Sequence, residues 1–219
     1  MNTSASQRTS ASLSRPRGWP GACRALALSA TLAMGTAAAL LPAAASATSQ
    51  PPLQPVPSVD LTRYQGQWYQ IAHYPNRFQK QCASDTTAQY RPLPRQRVEV
   101  TNSCRTPEGT QSQVVGEARL KRPTVLGIPI GAALSSAKLE VRFAPGWLSW
   151  VPGVWADYWV IQLADDYRYA VVGEPTREYL WILSRTPTLS AQDDAAIRAR
   201  LPQQGYDPAR LQLEPQGTP

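Results

Sequence analysis

The chain has 219 residues, a formal net charge of +7, three cysteines and one histidine. One histidine excludes a His-rich metal centre and leaves a Ser or Cys hydrolase a single base to work with. Four arginines and no acid fall within residues 1–24, so removing that stretch lowers the net charge to +3 and takes away the main support for nucleic-acid binding.

Residues 1–47 read as a secretory signal peptide: a basic, polar start, an Ala/Leu run over Ala25–Leu41, then the small residues Ala45-Ser46-Ala47. As a membrane anchor the run is short against the ~20 apolar residues a span needs, and it is only weakly hydrophobic. Cys23 precedes the run and no acylation cysteine follows it, so the expectation is an exported, soluble, periplasmic or secreted protein without a lipid anchor. That leaves Cys82 and Cys104, an even pair for which a disulfide is the default in an exported chain. Residues 48–58, with Pro51, Pro52, Pro55 and Pro57, read as a Pro-rich linker, an extended tether; residues 59–215 are the folded domain and 216–219 a tail.

Within the domain, Gln67–Tyr74 suits a strand ended by Pro75-Asn76. Ser84–Tyr90 and Arg97–Asn102 suit the next two. A hairpin centred on Leu93 would set Ala88 against Val98, Thr86 against Val100 and Cys82 against Cys104, with the disulfide and the apolar pairs on one face. Gln113–Leu120 and Lys138–Phe143 alternate apolar and polar residues, as strands with one wet face do. Between them, 123–137 is an apolar linker. Residues 144–156 carry Trp147, Trp150 and Trp155 among prolines and glycines, which forbids one regular element. These tryptophans form either a local satellite core or an apolar lip for a ligand or membrane surface. Asp157–Leu163, Tyr169–Val172 and Tyr179–Arg185 are further strands. Ser190 caps a helix with Ile197 and Leu201 on one face, stopped by Pro202 and Gly205, and Leu211–Leu213 is a last short strand. About eight antiparallel strands with short connections must stack or close, and closure removes the exposed edges.

Three stretches resemble the signatures of the lipocalin family. They are Asp60-Leu61 through Gly66-Gln67-Trp68-Tyr69-Gln70-Ile71-Ala72, Asp165-Asp166-Tyr167, and Tyr179-Leu180-Trp181-Ile182-Leu183-Ser184-Arg185-Thr186-Pro187, the last in the form seen in bacterial and apolipoprotein D-like members. The resemblance implies an all-β fold: an eight-stranded antiparallel up-and-down β-barrel with one C-terminal α-helix packed outside. It implies a barrel floor of Gly66, Trp68 and Arg185, the arginine stacked on the indole, and it places the Trp-rich loop at the open mouth. It calls for no cofactor and no metal.

Alternation nominates Thr86, Ala88, Tyr90, Val98, Val100, Val114, Gly116, Ala118, Leu139, Val141 and Phe143 as barrel lining. Family parity adds Gln70, Ala72, Tyr158, Val160, Tyr179, Trp181 and Leu183, with Trp147 and Trp150 at the lip. Such a lining suits a fatty acid, a lysophospholipid or a similar lipid, carried or stored in the cell envelope. Two other readings remain: an enzyme on the same barrel, weakened because the parity of His73 places it outside, and a protein-binding or homodimer module using the Trp-rich rim. The partners expected are thus a small hydrophobic ligand, a membrane surface at the Trp loop, or a second copy, and no nucleic acid.

Overall fold

A computed structural model of the chain describes residues 50–126, 128–151 and 153–217; the expected signal peptide lies outside them. In chain order the elements are α1 (Leu61–Tyr64), β1 (Gly66–His73), β2 (Ser84–Leu93), β3 (Arg97–Arg105), β4 (Gln111–Leu120), β5 (Thr124–Val125), β6 (Ile128–Pro129), β7 (Lys138–Arg142), β8 (Ala156–Leu163), β9 (Tyr169–Gly173), β10 (Leu180–Ser184), α2 (Ala191–Arg200) and β11 (Gln212–Leu213). Antiparallel neighbours run β10-β9-β8-β7-β4-β3-β2-β1, and β1 pairs back onto β10, so the eight strands close into a barrel. Because the strands alternate in direction, the β1–β2, β3–β4, β7–β8 and β9–β10 connections share one end, the mouth. Those after β2, β4, β8 and β10 share the other, the floor.

Two apolar clusters follow from this closure. The inner one gathers Trp68, Ala88, Tyr90, Val98, Val100, Ala118, Leu139, Val160 and Leu183. The outer one lies under α2, where Ile197 and Leu201 meet Ile161, Val171 and Ile182. Ser190 caps α2 by accepting from the Asp193 amide at 3.0 Å, and Arg168 grips the Asp193 carboxylate through two nitrogens at 2.9 and 2.6 Å.

The floor is a small set of interlocking contacts. The Arg185 guanidinium lies 3.8 Å from the centre of the Trp68 ring and donates to the carbonyls of Gln67 and Arg63 at 2.9 and 2.6 Å. Trp68 donates to the Tyr64 carbonyl. Gly66 has φ +93°, and an added Cβ would sit 3.4 Å from the arginine, so glycine lets the chain turn beneath that side chain. The Asp165-Asp166-Tyr167 turn joins the same assembly: the Tyr167 hydroxyl accepts from the Asp60 amide, and Arg63 stacks on its ring at 4.0 Å.

Several expectations need correction. The β2–β3 hairpin is centred on Arg95, with Leu93 opposite Arg97 and Ala88 opposite Asn102. Arg95 and Gln96 both take positive φ, which moves the turn two residues beyond Leu93. The shift of each partner is even, so the faces are kept. The Cys82–Cys104 disulfide does form, but from the loop ahead of β2, after the ladder is interrupted between Ser84 and Thr87. In the chain-entropy picture that link, with 22 residues of separation, constrains the unfolded state by about 3 kcal/mol.

The proline-rich segment is extended but not free: Leu53 is buried in the outer cluster and the Val56 amide donates to Val160 at 2.9 Å. The tail is held as well, Gln216 donating to the carbonyls of Gln70 and Thr86.

Replacing Arg185 with alanine removes the stacking and two charge-assisted hydrogen bonds, and is expected to cost about 2–3 kcal/mol in urea unfolding. Arg185→Lys should recover less than half of that, because an ammonium has no planar face to stack. An alanine variant as stable as the parent would show that the floor does not depend on this pair.

Candidate ligand-binding site

The strand registers decide which side chains point inward. The ladder Tyr90–Val100–Gly116 and, one step nearer the mouth, Ala88–Asn102–Val114 carry one face across β2, β3 and β4, and Tyr90 and Ala88 belong to the inner cluster. Of the expected lining, Ala88, Tyr90, Val98, Val100, Leu139, Val160 and Leu183 are buried there, with Val141, Tyr158 and Trp181 packed against them.

The lower half of the barrel is almost filled. Tyr158 hydrogen-bonds through its hydroxyl to Tyr64 and Tyr90 at 2.9 and 2.8 Å. Burial pushes all three phenols up, Tyr90 to about 12, so they stay protonated as hydrogen-bonding groups. Beside them, between Val98, Val100 and Leu139, remains an enclosed cavity of about 20 Å³, enough for one water.

Toward the mouth the inner wall opens. Val114 and Phe143 are inward by register yet remain exposed, and the Phe143 ring lies where a side chain on Gly116 would stand. On the opposite wall Tyr179, just ahead of β10, stacks on Trp181 at 5.9 Å and meets Phe78 from the β1–β2 connection at 5.5 Å. Trp147 and Trp150 on the β7–β8 connection are 73% and 79% exposed at the rim. Trp155 is not part of that lip; it is clamped on the outer wall by Arg119 and Arg142, whose guanidiniums lie 3.8 and 5.0 Å from its ring centre.

One wall of the mouth is polar, and here the sequence reading fails. A register shift in the β1–β10 ladder between Gln70 and Ala72 inserts an extra residue at Ile71. Gln70 opposite Leu183 still faces inward; Ala72 opposite Ile182 faces the outer cluster, so the expected lining role of Ala72 is wrong. His73, opposite Trp181, turns inward instead of outward. There it meets Glu214, which follows β11, with Nε2 and Oε2 3.5 Å apart. Glu214 also accepts from the Thr86 hydroxyl at 2.5 Å and from Gln70 at 3.1 Å. Gln70 accepts from Gln79, which accepts from Trp181, so the network crosses from the C-terminal strand to the aromatic stack.

Burial would pull His73 down, but hydrogen bonds to Glu214 and the Tyr74 carbonyl and the carboxylate charge outweigh it, and its pKa is raised. Burial would likewise raise Glu214, but His73, Thr86 and Gln70 outweigh it, and its pKa is lowered. Both ring nitrogens of His73 are engaged, which leaves none free to take a proton from a substrate. No group of three or more potential metal ligands occurs among the described residues.

The closed eight-stranded barrel with its external helix is matched by the comparisons with known proteins. Residues 59–216 match the family model for a lipocalin-like domain. The chain belongs to the lipocalin family. It is 34% identical over 170 residues to temperature-induced lipocalin-1 of Arabidopsis thaliana, covering 77% of this chain and 86% of that one. To the outer membrane lipoprotein Blc of Escherichia coli K12 it is 33% identical over 181 residues, 82% and 92% of the two chains. Apolipoprotein D of Mus musculus is 32% identical over 165 residues, 72% and 76%. Among solved structures, insecticyanin of the tobacco hornworm Manduca sexta shares the fold with a TM-score of 0.55 at 22% identity, over 76% of this chain and 85% of that one. Lipocalins are in general binding and transport proteins for small hydrophobic ligands.

The paired shifts give this lipocalin a pH signature. The stability contributed by His73 is present below its unfolded value near 6.5 and is lost as pH rises through its raised value. That of Glu214 is present above about 4.5 and is lost as pH falls through its lowered value. The pair therefore stabilises most in the window between. The melting-temperature gap between wild type and His73→Gln should be wider at about pH 5.5 than at about pH 8.5. A gap that is constant or widens in alkali would rule out the ion pair.

Proposed function

We propose that the protein is an exported carrier of a single-chain amphiphile, a fatty acid or lysophospholipid, held tail-inward in the upper half of the barrel. The observation that carries this reading is the asymmetry of the interior: accessible at the mouth, where an apolar wall with Val114 and Phe143 faces a polar one, and filled at the floor. A tail entering past Trp147 and Trp150 meets Phe143, Val114 and Ala88 and stops above the tyrosine cluster. Binding is driven by removing tail surface from water at ~25 cal/mol per Å². The polar end rests by Gln79 and Trp181, at the outer limit of the network that runs to Glu214. The exposed indoles give the rim a group that is apolar on one side and hydrogen-bonding on the other, suited to receiving a lipid.

Export is supported by the signal pattern of residues 1–47, and a role in the cell envelope by the likeness to an outer membrane lipoprotein. Lipid storage or membrane maintenance is the cellular task this chemistry fits.

Native mass spectrometry of the protein recovered from its own host should show a retained lipid. In titrations, fatty acid or lysophospholipid at micromolar concentration should quench tryptophan fluorescence. Val114→Arg puts a charge in the chamber and is expected to weaken binding at least tenfold, about 1.4 kcal/mol, with an unchanged melting temperature. Absence of binding by either lipid class would refute the carrier reading. Sedimentation that depends on concentration and is lost in Trp147→Ser/Trp150→Ser would favour a self-association surface in its place.

A further inference from the structure

The apolar linker between β4 and β7 is a separate structure at the floor end, opposite the mouth. β5 and β6 pair only with each other, Thr124 opposite Pro129 and Val125 opposite Ile128, and with no barrel strand. Two further bonds close the base, Ile130 N–H to the Pro123 carbonyl at 2.8 Å and Arg122 Nε to the Gly131 carbonyl at 2.7 Å. This finger presents its aliphatic side chains to solvent: Leu126 is 97% and Leu134 86% exposed, with Val125, Ile128 and Ile130 also exposed. None of them is packed onto the barrel. Exposed apolar residues grouped in this way mark an interaction surface rather than scattered surface chemistry.

The charges around the finger indicate what it meets. From Arg119 to Lys138 the sequence has four cations and no acid. Arg119 pairs with Glu140 and Lys121 with Asp157, but Arg122 and Lys138 have no ion-pair partner among the described residues, and neither does Arg95 on the neighbouring floor turn. The Lys138 ammonium lies 4.2 Å from the centre of the Trp159 ring, a contact that leaves its charge unneutralised. Aliphatic tip and cationic base is the order in which a bilayer presents acyl chains and anionic phosphates. A protein partner would need a complementary surface of roughly 800 Å² on each side and favours aromatic anchors; a narrow two-stranded finger of aliphatics offers neither, and a bilayer requires neither.

We propose that the floor end of the barrel docks on an anionic lipid bilayer, the finger's Leu126, Ile128 and Ile130 entering the acyl boundary and Arg122, Lys138 and Arg95 contacting lipid phosphates. Docked this way, the mouth faces away from the bilayer that holds the protein. The inference is independent of what the barrel carries, since no finger residue lines the interior.

The test is flotation with vesicles of phosphatidylethanolamine and phosphatidylglycerol, against vesicles of phosphatidylcholine alone. The protein is used as its host processes it and, in parallel, as residues 48–219, which contain both apolar clusters and form one compact unit. Wild type should float with the anionic vesicles and be released by salt. Leu126→Ser/Ile128→Ser should reduce binding about tenfold or more, since both side chains leave the acyl boundary. Arg122→Gln should reduce it severalfold and weaken the salt dependence. Both changes lie on exposed positions, so the melting temperature and lysophospholipid binding should not move. Trp147→Ser/Trp150→Ser at the mouth should float as wild type. Three results would each overturn the proposal: a finger variant that binds like wild type, binding lost only in the rim variant, or binding that requires residues 1–47. A finger variant that merely converts a dimer to a monomer in sedimentation would assign the finger to a second copy and overturn it too.

Discussion

The barrel depends on its first and last strands meeting. β1 pairs with β10 along Tyr69–His73, and the stacked Trp68–Arg185 pair lies beside that seam at the floor, tying the two strands to α1 through the carbonyls of Arg63 and Gln67. Without closure, β10 and β1 would each present an edge of unpaired amides, and the inner cluster would face water through the gap. The external helix serves the same seam: Ile197 and Leu201 cover Ala72 and Ile182, residues opposite each other on the two strands. One arginine thus links the first and last strands of the barrel, a contact whose long sequence separation makes it entropically expensive to form.

Much of this was legible from the sequence because strand alternation is local. Each strand from Gln113–Leu120 onward could be read by itself, and the inner set Val98, Val100 and Leu139 follows from period two, with Val160 added by the family resemblance. What was lost is what alternation cannot carry. A single extra residue at Ile71 reverses the parity of everything after it, so Ala72 and His73 exchange faces, and no composition cue marks a bulge inside Gln-Ile-Ala-His. The hairpin register erred by an even number, so its faces came out right while its partners did not. Cys82 and Cys104 satisfied that wrong register, a coincidence of spacing: the real bond leaves from a loop. Glu214 had no sequence signal, since it lies 141 residues from the histidine it meets and its place is set by the path of the C-terminal segment.

The filled lower barrel changes what the chamber can hold. An eight-stranded barrel has room for one small ligand when its lining is small. Here three tyrosines converge through a shared hydroxyl and leave about 20 Å³. Displacing them would break two hydrogen bonds between buried phenols and strand a hydroxyl, a cost of about 1–3 kcal/mol for each group left unsatisfied. The tyrosine layer therefore leaves the lower barrel space for no more than about one water. Trp68 stands beside that layer, its indole donating to the Tyr64 carbonyl and its ring centre 4.9 Å from that of Tyr64.

The buried Glu214 explains why the chain's last residues matter to a wall they do not begin. β1 pairs with β2 only over Gly66–Tyr69; beyond that the two strands separate, and β11 joins β1 at Ala72 and His73 in the space they leave. An apolar residue at 214 would fill that space but would leave the Thr86 hydroxyl and the Gln70 amide without partners. A carboxylate satisfies both, and its own desolvation is offset by His73 across the β1 bulge. The bulge that reverses His73 is thus what makes the inserted acid tolerable: with regular alternation the imidazole would face α2, and the carboxylate would stand unpaired in the wall. Bulge, histidine and C-terminal glutamate form one device, and it holds the wall closed at the mouth.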